Sequence, residues 1–137
     1  MGEEKLEAAE IRTLLLSNNS LDVEKGLDIF CSNKKLEIVP LLISILHKWE
    51  GTHLFEVICA VLWSIKELNA VDIIVNSYLN SKSKNVKRAL LTAIWENEYD
   101  ASPYLMQITQ SIIDEDYEII NEFACVIDAS PVPIPHD

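Results

Sequence analysis

The sequence predicts an all-α fold, a superhelix or solenoid of about four antiparallel helix pairs that repeat every 32 residues. Three observations predict it. A self-match at an offset of 32 runs without gaps through most of the chain. Phe55, Cys59, Leu62 and Trp63 recur as Lys87, Leu91, Ile94 and Trp95, then as Ile119, Phe123, Val126 and Ile127, and the same step backwards reaches Val23, Leu27, Phe30 and Cys31. Within each set the spacing is i, i+4, i+7 and i+8, which is one face of an α-helix. Finally, 3 glycines and 5 prolines in 137 residues leave long stretches without the turn residues that a β-rich fold needs. A period of this size marks stacked supersecondary units, each burying its apolar face against its neighbours.

The elements follow in order. A first helix is expected over residues 3–17, with Leu6, Ala9, Thr13 and Leu14 along one edge. Ser17-Asn18-Asn19-Ser20 is a turn, because short polar side chains there compete for backbone hydrogen bonds. Ser20 is expected to cap a second helix over 21–32, with Glu24 placed to cooperate. The third helix, 36–49, contains Pro40. A shift of 64 residues brings Pro40 beside Pro103, where Ser102-Pro103 supplies a cap followed by a first-turn proline. Pro40 is therefore also placed in a first turn, with regular helix from Val39 onward; the alternative is a kink.

Glu50-Gly51-Thr52 leads to a fourth helix over 52–68, capped by Thr52. The fifth is expected over 70–80, the sixth over 85–98 after a polar loop, the seventh over 102–113 and the eighth over 117–129. Asp114-Glu115-Asp116 precedes the eighth helix, where acids suit the positive end of its dipole. A single domain is thus expected over residues 1–130, with a proline-rich tail over 131–137. Each pair has an outer helix and an inner one, and the inner helices match one another more cleanly. Leu41, Leu42 and Ile45 align with Ile73, Ile74 and Ser77, but the first pair holds Ala9, Glu10 and Thr13 in those slots. Terminal repeats are expected to be atypical, since one of their faces meets water.

Inner helices reading Cys59-Ala60-Val61-Leu62-Trp63, Thr92-Ala93-Ile94-Trp95 and Ala124-Cys125-Val126-Ile127 resemble HEAT-type α-helical repeats. The resemblance covers residues 36–129 well and 3–32 loosely. The segment Trp95-x-Asn97-x-x-Asp100-x-Ser102-x-Tyr104 also resembles an uncharacterised family of small helical-repeat proteins of Bacteroidetes-type bacteria, a likeness that implies no activity. HEAT-type repeats mostly serve as protein-binding scaffolds, so the resemblance implies protein binding. The metal-binding hydroxylase branch of these repeats carries His-Glu pairs, whereas His47, His53 and His136 precede Lys48, Leu54 and Asp137. The branch that excises alkylated bases is strongly basic, and this chain carries a net charge of −11.

That charge is uneven. Lys82, Lys84, Lys87 and Arg88 form a short basic cluster, and only acids follow it, from Glu96 to Asp137. Such a surface repels phosphate backbones, so no nucleic-acid partner is expected. No membrane partner is expected either. The longest apolar stretch, 38–46, is broken by Pro40 and Ser44 and falls short of the roughly 20 residues of a spanning helix. Gly2-Glu3-Glu4-Lys5 is polar and Leu6 lacks the hydroxyl of a myristoylation signal, so a cytoplasmic location is expected. Cys31, Cys59 and Cys125 lie in apolar stretches without metal-type spacing, which suits core packing in a reducing compartment.

Residues that carry chemistry are sparse. His47 and His53 lack the i, i+4 spacing that sets two ligands on one helix face. Asp114, Asp116 and Glu118 alternate like the start of a calcium loop, but the turn glycine is absent and Cys125 stands at the twelfth position. With glycine only at 2, 26 and 51, no phosphate loop is possible. Trp63 and Trp95 share a slot and read as packing residues. No catalytic residue, metal or cofactor is expected.

The period itself supplies the candidate surface. Opposite the core stripe of each inner helix stand Glu24-Asp28-Ser32, Glu56-Ala60-Ser64, Arg88-Thr92-Glu96 and Ile120-Ala124-Asp128. Stacking would bring these into rows on the concave face. The expected function is a non-catalytic protein-interaction module, monomeric or weakly self-associating, that binds a basic protein partner through Glu24, Asp28, Glu56, Arg88, Glu96 and Asp128. Three alternatives stand beside it: a merely solvated acidic face, an immunity-type inhibitor of a basic toxin, and an enzyme or small-ligand carrier with its site between helices.

Overall fold

Apolar residues at helical spacing become the buried face of one helix after another. A computed structural model of the chain describes residues 2–111, with side chains from Glu7 onward. Among the described residues seven α-helices run in order: α1 Gly2–Leu15, α2 Ser20–Ser32, α3 Val39–Lys48, α4 His53–Leu62, α5 Val71–Asn80, α6 Lys84–Glu96 and α7 Leu105–Ser111. Two 3-10 turns, Leu36–Ile38 and Ser102–Tyr104, lead into α3 and α7, and the described residues contain no strand. The architecture is all-α. The expected 114–116 loop, eighth helix over 117–129 and tail over 131–137 lie outside the described residues. No helix among the described residues is long and apolar enough to cross a membrane.

The chain separates into two compact units between Leu68 and Asn69. In the first, α1 packs on α2 and α3, while α4 packs on α2 and α3. Ile11, Leu15, Val23, Phe30, Leu42, Leu46, Ile58 and Leu62 are fully buried there. A Cβ at Gly26 would stand 3.0 Å from Leu14 Cβ and 3.1 Å from Leu15 Cδ2, so its missing side chain lets α2 approach α1. In the second unit, α5 packs on α6 and α7 around Ile74, Val75, Tyr78, Leu90, Ile94 and Ile108. Tyr78 is fully buried, and its hydroxyl accepts a hydrogen bond from Ser111 Oγ at 3.1 Å.

Residues aligned by the 32-residue offset share their burial at two slots. Leu27, Cys59 and Leu91 are buried, and so are Phe30, Leu62 and Ile94. At the next slot Trp63 and Trp95 are half-buried and Cys31 is exposed, so this position lies at the rim of the apolar stripe and Cys31 is no core residue. Ser32 and Ser64, also 32 apart, both donate to the carbonyl four residues earlier, Asp28 at 3.3 Å and Ala60 at 2.9 Å.

Helix ends depart from expectation at identifiable places. Asn19 rather than Ser20 caps α2: its backbone is extended and its Oδ1 accepts from Leu21 N at 2.9 Å. Ser17 is drawn instead into a bond from its Oγ to Asp22 Oδ2, 2.8 Å, within the turn. Pro40 sits in the first turn of α3, which is regular from Val39. The two 3-10 turns begin 66 residues apart, not 64, and Ser102 is the first residue of its turn rather than a cap, its N–H taken by Asp100 Oδ1 at 3.0 Å.

Helix α4 ends at Leu62, six residues before its expected end. The last turn closes through Trp63 N donating to Cys59 O at 2.9 Å and Ser64 N to Val61 O at 3.0 Å, and just past it Lys34 Nζ donates to the Ser64 carbonyl and pairs with Glu67 Oε1 at 2.7 Å. Thr52 stands at the N-cap of α4 but makes no side-chain cap bond, because its Oγ1 donates to Trp49 O at 2.7 Å. Ser83 caps α6 by accepting from Val86 N at 3.3 Å.

Candidate functional site

On the described inner helices α2, α4 and α6 the slots opposite the apolar stripe range from exposed to buried. In the first unit these slots hold Glu24, half-buried, with Asp28 and Glu56 exposed. The helices that carry them, α2 and α4, pack against each other. In the second unit Arg88 and Glu96 lie two turns apart on α6: Arg88 is half-buried with its Nε buried, and Glu96 is exposed. Thr92 between them is buried and its hydroxyl is turned to Arg88 O at 2.9 Å, whereas the matching Ala60 on α4 is exposed. Asp128 lies outside the described residues.

Glu24 borders a cleft that the sequence pattern did not single out. It has a volume of about 250 Å³ and is lined by Ser20, Glu24, Trp49, Thr52, His53 and Leu54. Three chain segments meet there: the first turns of α2, the end of α3 and the start of α4. Leu54 is buried and Trp49 half-buried, so the walls are largely apolar. The Glu24 carboxylate makes no ion pair or hydrogen bond among the described residues, although it is half-buried at the cleft. His53 joins the cleft to the second acid, its Nδ1 3.6 Å from Glu56 Oε2, with both side chains about 80% exposed. Lys48 holds its ammonium 5.4 Å from the centroid of the Trp49 ring and donates to Asn18 Oδ1 at 2.7 Å and Ser17 O at 3.2 Å. The Trp49 indole N–H is buried without an acceptor among the described residues.

His47 is exposed with its Nδ1 3.1 Å from Ile43 O, so both histidines of the described residues stand at the surface. Burial, with Glu56 adding, pushes the Cys59 thiol up to about 12, which keeps it neutral and poorly nucleophilic. Burial also raises the Cys31 thiol, with Asp28 adding and Lys34 opposing. Among the described residues, no group of three or more His, Cys, Asp or Glu side chains is arranged to hold a metal ion.

Comparison of the chain with protein-family models, with curated proteins and with solved structures gives no match.

Proposed function

We propose that the chain is a HEAT-like α-α superhelix with a period of 32 residues, and that its inner helices bind a protein partner with a basic surface, without catalysis. In this reading Glu24, Asp28, Glu56, Glu96 and Asp128 supply the negative rows, with Arg88 fixing register among them.

The observation that carries the reading lies in the first unit. Glu24, Asp28 and Glu56 stand on two helices that pack together, in slots away from the buried stripe, and two of the three are exposed. The net charge of −11 adds long-range attraction for a basic protein, which raises association rates and disfavours acidic competitors. A basic toxin blocked by an immunity-type inhibitor is one partner of this kind.

The test is affinity capture from source lysate with the wild-type chain beside the triple variant Asp28→Lys, Glu56→Lys, Glu96→Lys, both first matched for helicity and melting. The expected result is a basic protein held by the wild type and lost by the variant. Equal capture by both forms would defeat the acidic-face reading.

A further inference from the structure

We infer that the cleft between the start of α2 and the start of α4 is an anchor pocket for a single arginine side chain of the partner protein. This inference rests on the acidic-face reading and names where on that face the strongest contact falls.

Four features point to a guanidinium. The volume of about 250 Å³ suits one side chain better than a whole metabolite. The lining combines the apolar surfaces of Trp49 and Leu54 with one carboxylate, Glu24. An arginine stem can lie along such walls while its planar head forks onto the acid. Glu24 is half-buried and holds no cation among the described residues, so an incoming charge would meet an acid that is already partly desolvated and has no pairing to break. The half-buried Trp49 ring, moreover, is an aromatic surface of the kind on which a guanidinium stacks, with the Lys48 ammonium 5.4 Å from its centroid as the charge an incoming cation must share it with. Arginine is favoured over lysine because its flat, weakly hydrated head both stacks on an aromatic ring and pairs with a carboxylate in two places.

The other charges around the cleft are already answered. Asn19 caps α2 and Asp22 stands in its first turn, so the positive end of that helix is occupied. Glu56 does the same in the first turn of α4, within 3.6 Å of His53. Lys48 is held by Asn18 Oδ1 and Ser17 O. Glu24 is the acid left over; Asp28 follows it one turn later on α2, and Glu56 stands 3.6 Å from the cleft's His53.

The test is a titration of the full ¹⁵N-labelled chain with N-acetyl-arginine amide, followed at the Trp49 indole and the amides of Ser20 and residues 52–54. Saturable shifts confined to these signals are expected, with affinity about tenfold weaker in Glu24→Gln. N-acetyl-lysine amide should bind more weakly than the arginine probe. Absence of saturable shifts, equal binding by Glu24→Gln, or preference for N-acetyl-glutamate amide would overturn the proposal, the last by marking an anion site at the α4 terminus. If the arginine probe fails while the triple variant still loses its partner, the anchor is wrong and the acidic face stands. If the probe binds but the triple variant captures the partner as well as wild type, both fall.

Discussion

Glu98 has a φ of 58°, the left-handed region that non-glycine residues avoid. It follows Asn97 at the end of α6, where Tyr99 N donates to Ile94 O at 3.0 Å and Glu98 N to Trp95 O at 3.1 Å. This is the double closure that helices usually complete with glycine. Glu98→Gly should therefore raise unfolding stability by about 1 kcal/mol, read from urea denaturation. Gly51, at φ 84°, already has the residue its turn needs. A second residue-scale effect concerns acid stability. The hydrogen bond from Lys34, with backbone help, holds the Glu67 carboxyl below its ordinary 4.5. A carboxylate lowered in the folded state stabilises above its unfolded value, and that contribution is lost as pH falls through the folded value. The melting-temperature difference between wild type and Glu67→Gln should be steady from neutral pH down to about 5 and should close below about 4.5. A gap that widens on acidification would refute the assignment.

At the scale of elements, helix existence was far more legible than helix ends. Periodic apolar residues place α1 to α3, α5 and α6 close to their expected spans, and α4 close to its expected start, because burial of one face dominates their energetics. The ends depend on short polar side chains that compete closely. In Ser17-Asn18-Asn19-Ser20 every residue is a competent cap, and Asn19 takes the role because α2 begins at Ser20. Asn19→Ala should cost about 1 kcal/mol in thermal or urea unfolding, and Ser20→Ala only a few tenths. The early end of α4 was hidden for a different reason. Residues 63–68 are acceptable helix formers, and the contact that pins the chain just past the helix comes from Lys34, 30 residues before Ser64. Cys31 misled in the same way: the slot aligned with Trp63 and Trp95 is apolar in sequence yet lies at the rim, where aromatic rings remain half-covered and a small thiol is exposed.

At the scale of the whole molecule, the all-α class was readable from the period and the scarcity of glycine and proline. Of the proposed acid rows, Glu24, Asp28 and Glu56 stand on α2 and α4, which pack together in one unit, with Glu24 half-buried and the other two exposed. The rows are not equivalent, however. Thr92 is buried where Ala60 is exposed, because equal spacing in sequence does not fix what the next helix covers. The cleft was not readable, since Ser20, Glu24, Trp49 and residues 52–54 come together only through packing of α2, α3 and α4. The central claim is that a particular face, and not net charge alone, binds a basic partner. It is tested most directly by the affinity of the captured partner for two triple variants of equal net charge: Asp28→Lys, Glu56→Lys, Glu96→Lys on the inner helices, and Glu10→Lys, Glu37→Lys, Asp72→Lys at exposed positions elsewhere. A loss of at least about tenfold is expected for the first and little change for the second at physiological salt. Equal losses in both would show that charge, not the face, governs binding, and would contradict the claim.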